Sequence, residues 1–285
     1  MDSLEIKGGT PLNGEVQISG AKNAVLPILA ATLLTREPCI IHNVPDLADV
    51  RTMCQILESL GATTKIEEKT VTVQAVKVRD FADYDLVRKM RGSLCVLGPL
   101  LARLKKATVS MPGGCVIGTR PVDLHRKAME ALGAKVKVEK GYIVAKARKL
   151  TGGEMFLGGR AGPTVLGTAN AMMAATMAEG ITVIEHAACE PEVVDLGKFL
   201  NNIGAQIQGL GSPTLTITGV KELGGAEHEV IPDRIEAATY AIAGLATKGE
   251  VTLKGARPDH MKAVIEKLRE SGVKVDQSKE KLSFK

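Results

Sequence analysis

Residues 111–125 read MPGGCVIGTRPVDLH, a stretch that sets one cysteine among glycines and an arginine at the mouth of a helix. A strand-like run, residues 107–111, feeds it. Gly113, Gly114 and Gly118 open backbone conformations closed to other residues and allow close approach to a ligand, while Pro121 fits the first turn of the helix that follows. Free backbone amides at such a helix start suit an anion. Arg120 adds a planar fork that can hold a phosphate or carboxylate through two parallel hydrogen bonds, and helix terminus and guanidinium together favour the thiolate of Cys115. Most unpaired cysteines are small buried hydrophobes, and Cys39, Cys54, Cys95 and Cys189, each in an apolar neighbourhood, are expected to be that. Glycine-rich polar loops seldom bury anything, so Cys115 is assigned to chemistry.

Further polar groups stand where apolar helices begin. Lys22 and Asn23 follow Gly20 in ISGAKNAVLPIL, Arg91 precedes Gly92 in RKMRGS, and Gly162 with Thr164 takes the same place further on. Alone, each reads as a solvated or capping residue. Together, at successive helix starts, they converge on one end of a domain, where helix termini also favour anions. Asp233 and Arg234 hold a fourth such position and are expected to cap the helix and pair with each other.

The elements that must position these groups repeat four times: an apolar helix, a short strand, a loop with proline, an amphipathic helix closed by glycine, and another strand. The closing glycines Gly61, Gly133, Gly204 and Gly272 are spaced by 72, 71 and 68 residues and read as helix C-caps. The first helices, residues 24–34, 94–104, 165–178 and 235–246, are apolar nearly all round and so are expected to be buried on every side, whereas the second helices, such as residues 193–203 and 261–271, carry the charged stripe of a surface helix. Only the second copy lengthens the loop before its proline, inserting SMPGGCVIGTR ahead of Pro121. Such an insertion has no packing rationale and reads as a mobile active-site lid.

Composition sets outer limits. The chain has 285 residues, 45% of them hydrophobic, with a net charge of +5, which is too mild for a nucleic-acid groove and compatible with a small acidic substrate. Aromatic residues make up 2%, which argues against stacking of bases on exposed rings. Five cysteines without a C-x-x-C pair and five histidines without metal spacing predict a reducing compartment and no metal or other cofactor. No leader precedes residues 1–14 and no run approaches about 20 uncharged apolar residues, so a cytoplasmic protein without a membrane partner is expected.

PGGCVIGTRPVDLH, SGAKNAVLPILAATLL, MRGS, EPEVVDL and PDRIEAATY, in this order and spacing, resemble the UDP-N-acetylglucosamine enolpyruvyl transferase (carboxyvinyltransferase) family along the whole chain. The resemblance implies an α/β fold, an inside-out α/β barrel of repeated units in two domains, and a reaction that opens peptidoglycan and hence cell-wall synthesis. It implies that Lys22 and Asn23 meet phosphoenolpyruvate, that Cys115 protonates or covalently captures it and is the target of fosfomycin, and that Arg120 binds phosphate. Arg91, Arg120, Pro121, Val122, Asp123 and Leu124 would contact UDP-N-acetylglucosamine, with Thr164 and Val165 on a second turn where the sequence GPTV diverges from the family's common form. The family has six repeat units, and four are present here. Residues 22–230 then form a complete three-unit domain, and residues 1–21 with 231–285 part of a second. The missing units would carry the base for the sugar hydroxyl and further arginines. Alternative readings are a truncated relative that binds the UDP-sugar without turnover and an enolpyruvyl transferase acting on shikimate phosphate. A nucleotide-hydrolase phosphate loop, suggested by Gly113 and Gly118 before Thr119, lacks the Gly-Lys-Ser/Thr ending it needs.

Overall fold

Four copies of one local plan follow one another in the computed structural model, which describes residues 3–111, 113, 122–160, 162–277 and 281–284. Strand β1 (Gly14–Gln17) leads to α1 (Lys22–Ala31), extended by a 3₁₀ turn at Thr32–Leu34, then β2 (Cys39–His42), α2 (Ala48–Ser59) and the hairpin β3 (Thr63–Glu67) and β4 (Thr70–Gln74). The second copy has β5 (Phe81–Ala82), a short α3 (Tyr84–Val87), a 3₁₀ segment Arg91–Val96 running into α4 (Leu97–Leu104), then β6 (Lys106–Ser110), α5 (Asp123–Ala131), β7 (Lys135–Glu139) and β8 (Tyr142–Lys146). The third has β9 (Glu154–Phe156), a small ribbon of β10 (Gly158–Gly159) and β11 (Gly162–Pro163), α6 (Val165–Ala175), β12 (Ile181–Glu185), α7 (Pro191–Asn202), β13 (Gln206–Gln208) and β14 (Thr214–Thr218). The fourth has β15 (Glu227–Glu229), α8 (Arg234–Ala246), β16 (Val251–Lys254), α9 (Lys262–Glu270), β17 (Val275–Gln277) and β18 (Lys281–Phe284).

Each copy owns a four-stranded sheet with the same order: β15-β2-β4-β3, β5-β6-β8-β7, β9-β12-β14-β13 and β1-β16-β18-β17. In every one the first two strands are parallel and the others antiparallel. Two strands are exchanged relative to chain order. β15, which leads the fourth copy, completes the sheet of the first, and β1, which leads the first, pairs with β16 of the fourth. This exchange is why the chain divides into a continuous unit, Lys22–Ile231, and a discontinuous one, Met1–Ala21 with Pro232–Lys285.

In the continuous unit α4 packs on α6, and α1 packs on the Arg91–Val96 segment. Their small residues permit this: every residue of α1 from Ala24 and of α6 from Gly167 onward is buried. The closing glycines match their capping role, with φ of 102°, 88°, 107° and 85° at Gly61, Gly133, Gly204 and Gly272.

Two helices depart from the sequence expectation. α7 is not simply a surface helix, because it packs on both α1 and α6, and Glu192 and Asp195 are buried in it. Asp195 Oδ1 lies 3.1 Å from His228 Nε2 while its Oδ2 accepts from Ile231 N at 3.2 Å, so the EPEVVDL aspartate clamps the β15 segment; Phe199 meets the His228 ring edge-on. α8 is not buried on every side either. Its buried residues are Ala237, Ala241 and Gly244, on a core with Ile18, Leu253, Met261, Ile265, Leu282 and Phe284, whereas Ile235, Tyr240 and Ile242 are 49%, 41% and 51% exposed. Among the described residues the discontinuous unit has one sheet and one such helix, and no second inner helix within it covers the outer face. Asp233 does cap α8, accepting from Ile235 N at 2.8 Å and Glu236 N at 3.0 Å.

Candidate active site

The polar groups at the helix starts belong to the continuous unit. Lys22 opens α1, where a cation meets the positive end of the helix dipole, and its Nζ lies 3.4 Å from Asp49 Oδ2 in the first turn of α2. Both side chains are partly exposed, so the pair adds little to stability. Asn23, beside it, is exposed. Half-buried Arg91 begins the 3₁₀ segment that enters α4, and that turn is fixed by Ser93, whose hydroxyl lies 2.7 Å from Val87 O and 2.6 Å from Met90 O.

After β6 the chain passes close over the end of α3. A Cβ at Gly113 would stand 2.3 Å from the carbonyl oxygen of Arg88, so only glycine fits there. Cys115, Arg120 and Pro121, the loop residues expected to act on substrate, lie outside the described residues. The first turn of α5 follows, with Val122 as its N-cap, Asp123 exposed, Leu124 half-buried and His125 buried. Leu124 lies on the β10–β11 ribbon, since a Cβ at Gly159 would be 3.0 Å from its Cδ1. That ribbon leads to Thr164, whose Oγ1 accepts from Gly167 N at 3.2 Å and caps α6, whose first residue is Val165. Contributions from the second and third copies are thus brought together, whereas the ion pair of Lys22 ties it to α2.

His125 was not singled out by sequence, nor were Asn170 and Asp49, although Arg91 and Asp123 beside it were. Burial pushes its pKa down to about 4, the Arg91 guanidinium adds to that, and Asp123 opposes it. Its Nδ1 lies 3.2 Å from Nδ2 of Asn170, which is fully buried in the middle of α6. The available signal was an asparagine inside an otherwise small and apolar helix. Asp49 carried none, because an acidic residue in a first helical turn is ordinary.

At the other ends of the inner helices lie two cavities of about 320 and 400 Å³ lined by Arg103, Lys105, Lys149 and Lys221 among others. Arg103 there donates to the carbonyls of Leu33, Thr35 and Val76 at 2.8, 2.9 and 3.0 Å, and Lys149 pairs with Glu179. Arg103, Lys105 and Lys149 are engaged by backbone carbonyls and an ion pair. Among the described residues no group of His, Cys, Asp and Glu has a metal-holding arrangement, and no helix is long and apolar enough to cross a membrane.

A family model described as EPSP synthase (3-phosphoshikimate 1-carboxyvinyltransferase) matches residues 6–284. The chain belongs to the EPSP synthase family. Among the relatives of this EPSP synthase family member, the UDP-N-acetylglucosamine 1-carboxyvinyltransferase of Methylacidiphilum infernorum is 54% identical over 276 residues, which are 97% of this chain and 66% of that protein. The protein of the same name from Akkermansia muciniphila is 50% identical over 277 residues, 97% and 65% respectively. The enolpyruvyl transferase NikO from Streptomyces tendae has a similar structure, with a TM-score of 0.84 at 25% identity over 97% of this chain and 66% of that one. An EPSP synthase from Acinetobacter baumannii, with a TM-score of 0.73 at 17% identity over 97% and 64%, shares the fold. The chain therefore spans a little under two thirds of the length of these family members.

Proposed function

We propose that this chain contributes the substrate-binding face of an enzyme that transfers the enolpyruvyl group of phosphoenolpyruvate to the 3'-hydroxyl of UDP-N-acetylglucosamine, a step of peptidoglycan synthesis. The observation that carries the reading is that the segment begun by Arg91 and α5, entered at Val122–Leu124, both pack on α6, entered at Thr164–Val165, in a chain about half identical to proteins named for that reaction. Residues 22–230 act as the complete three-copy domain, and residues 1–21 with 231–285 as part of a second. The free thiols of Cys39, Cys54, Cys95 and Cys189 support a reducing, cytoplasmic setting.

In this reading the sugar hydroxyl gives up its proton as its oxygen bonds to C2 of phosphoenolpyruvate and C3 gains a proton; the tetrahedral ketal then loses phosphate from C2 and a proton from C3, which restores the double bond. Lys22, exchanging its partner Asp49 for the substrate, and Arg120 hold the anionic groups; Cys115 supplies the proton to C3. Arg91 and the first turn of α5 receive the UDP-sugar, with Leu124 against the β10–β11 ribbon and Thr164 beside it. Phosphate release from phosphoenolpyruvate, measured with UDP-N-acetylglucosamine and separately with shikimate 3-phosphate, tests it. Dependence on the UDP-sugar, lost in Cys115→Ala, is expected; dependence on shikimate phosphate instead overturns the reading. Binding of the UDP-sugar without turnover would mark a non-catalytic relative.

A further inference from the structure

We propose that Asn170 is a positioning residue of this site, one buried amide that holds the segments bearing Arg91, Leu124 and Thr164 in register; the inference rests on the reading above for what those segments bind. An asparagine in the middle of a helix is a poor helix former, and a buried amide is tolerated only when its hydrogen bonds are made. Here all but one reach other elements that carry candidate site residues. Oδ1 accepts from Gly98 N at 2.7 Å, at the junction where the segment that starts with Arg91 becomes α4. Nδ2 lies 3.1 Å from Leu94 O, 3.3 Å from Leu166 O and 3.2 Å from His125 Nδ1.

The amide nitrogen can only donate, so across the 3.2 Å contact His125 must offer a lone pair at Nδ1 and carry its proton on Nε2; an imidazolium would set N–H against N–H. Arg91 and Asp123 are the charged groups whose fields reach the ring. The contact is close. A Cβ at Gly98 would stand 2.4 Å from the Asn170 carbonyl oxygen, so α4 and α6 touch backbone to backbone at this point. Leu94 is three residues from Arg91, His125 follows Leu124 directly, and Thr164 caps the helix that carries the amide.

The test compares Asn170→Leu, His125→Leu and His125→Asn, the last keeping an acceptor near the position of Nδ1. Amide hydrogen exchange on the whole chain without ligand is expected to quicken at least tenfold at residues 94–98 and 122–126 in both leucine variants, with the sheet strands unchanged and His125→Asn close to wild type. Isothermal titration with UDP-N-acetylglucosamine is expected to show at least tenfold weaker binding in the leucine variants and at most threefold in His125→Asn. Should the leucine variants not fold, nitrogen-15 spectra of wild-type His125 decide: protonated Nε2 and bare Nδ1 between pH 5 and 8 support the proposal, and a protonated Nδ1 overturns it. Wild-type exchange at both segments, uniformly faster exchange, or unchanged affinity in the leucine variants also overturns it. If the wild type binds no UDP-sugar, the functional reading falls, and the exchange and nitrogen measurements still judge the network.

Discussion

A histidine kept neutral inside the fold makes stability sensitive to mild acid. Unfolded, His125 takes up a proton near pH 6.5, and folded it does so near 4, so between those values the unfolded chain binds more protons and is favoured as pH falls. Its contribution is complete above about pH 6.5 and is lost by about pH 4; a shift of this size corresponds to at most about 3 kcal/mol. Urea unfolding at pH 7 and pH 4.5 is expected to show a drop that is smaller in His125→Asn, and equal drops would refute the assignment. Cysteines give a second expectation at this scale. Cys54 and Cys95 are buried, their thiols pushed up to about 11 and 12, and burial also raises Cys39, whereas Cys189, expected from its neighbours to be buried, is exposed. Partial burial and Glu190 raise its pKa too, so iodoacetamide on a Cys115→Ser chain should label Cys189 slowly at pH 7 and faster towards pH 9 while sparing the other three. Labelling of Cys54 or Cys95 on the folded chain would contradict this. Sequence reasoning proposed Arg91 and Thr164 because they sit at helix starts, and the structure places both there. Asn170 and Asp49 escaped it because their partners lie on other elements, which no local pattern announces.

Among the elements, inner helices were legible from their unbroken apolar runs, and outer helices from their closing glycines. The exchange of β1 and β15 was not, since strands of three or four residues carry too little alternation to say which sheet they join. α7 misled for a related reason: its Asp195 looks like part of a polar face until His228 and Ile231, more than thirty residues on, are seen to satisfy it. Packing between inner helices makes a sharp prediction. At Gly98 a Cβ meets the backbone oxygen of Asn170 at 2.4 Å and its Oδ1 at 3.0 Å, atoms that cannot swing aside, whereas at Gly153 the nearest atom is Ala131 O at an ordinary 3.6 Å. Gly98→Ala should therefore cost about 2 kcal/mol or more, and Gly153→Ala little. Thermal melts should separate the two by several degrees. Similar melting temperatures would mean that α4 and α6 are not in backbone contact.

For the molecule as a whole, the informative difference lies between its two units. The continuous unit covers α1 with α2, α7 and the Arg91–Val96 segment and packs α4 on α6, while α8, built from the same plan, keeps Ile235, Thr239, Ile242 and Ala246 along one exposed stripe, with Tyr240 beside it. The all-round apolar character that correctly placed the first three helices inside therefore overstated the burial of the fourth, because burial depends on neighbours and not on the helix alone. Contiguous apolar surface of this kind drives association in water. Sedimentation of the 285-residue chain is expected to show mass rising with concentration, and the pair Ile235→Lys with Ile242→Lys is expected to abolish the rise. Both side chains are about half exposed, so the substitutions should leave the circular dichroism spectrum and melting temperature nearly unchanged, which separates lost association from lost folding. If the double variant associates as the wild type does, the stripe on α8 is not the surface that brings chains together.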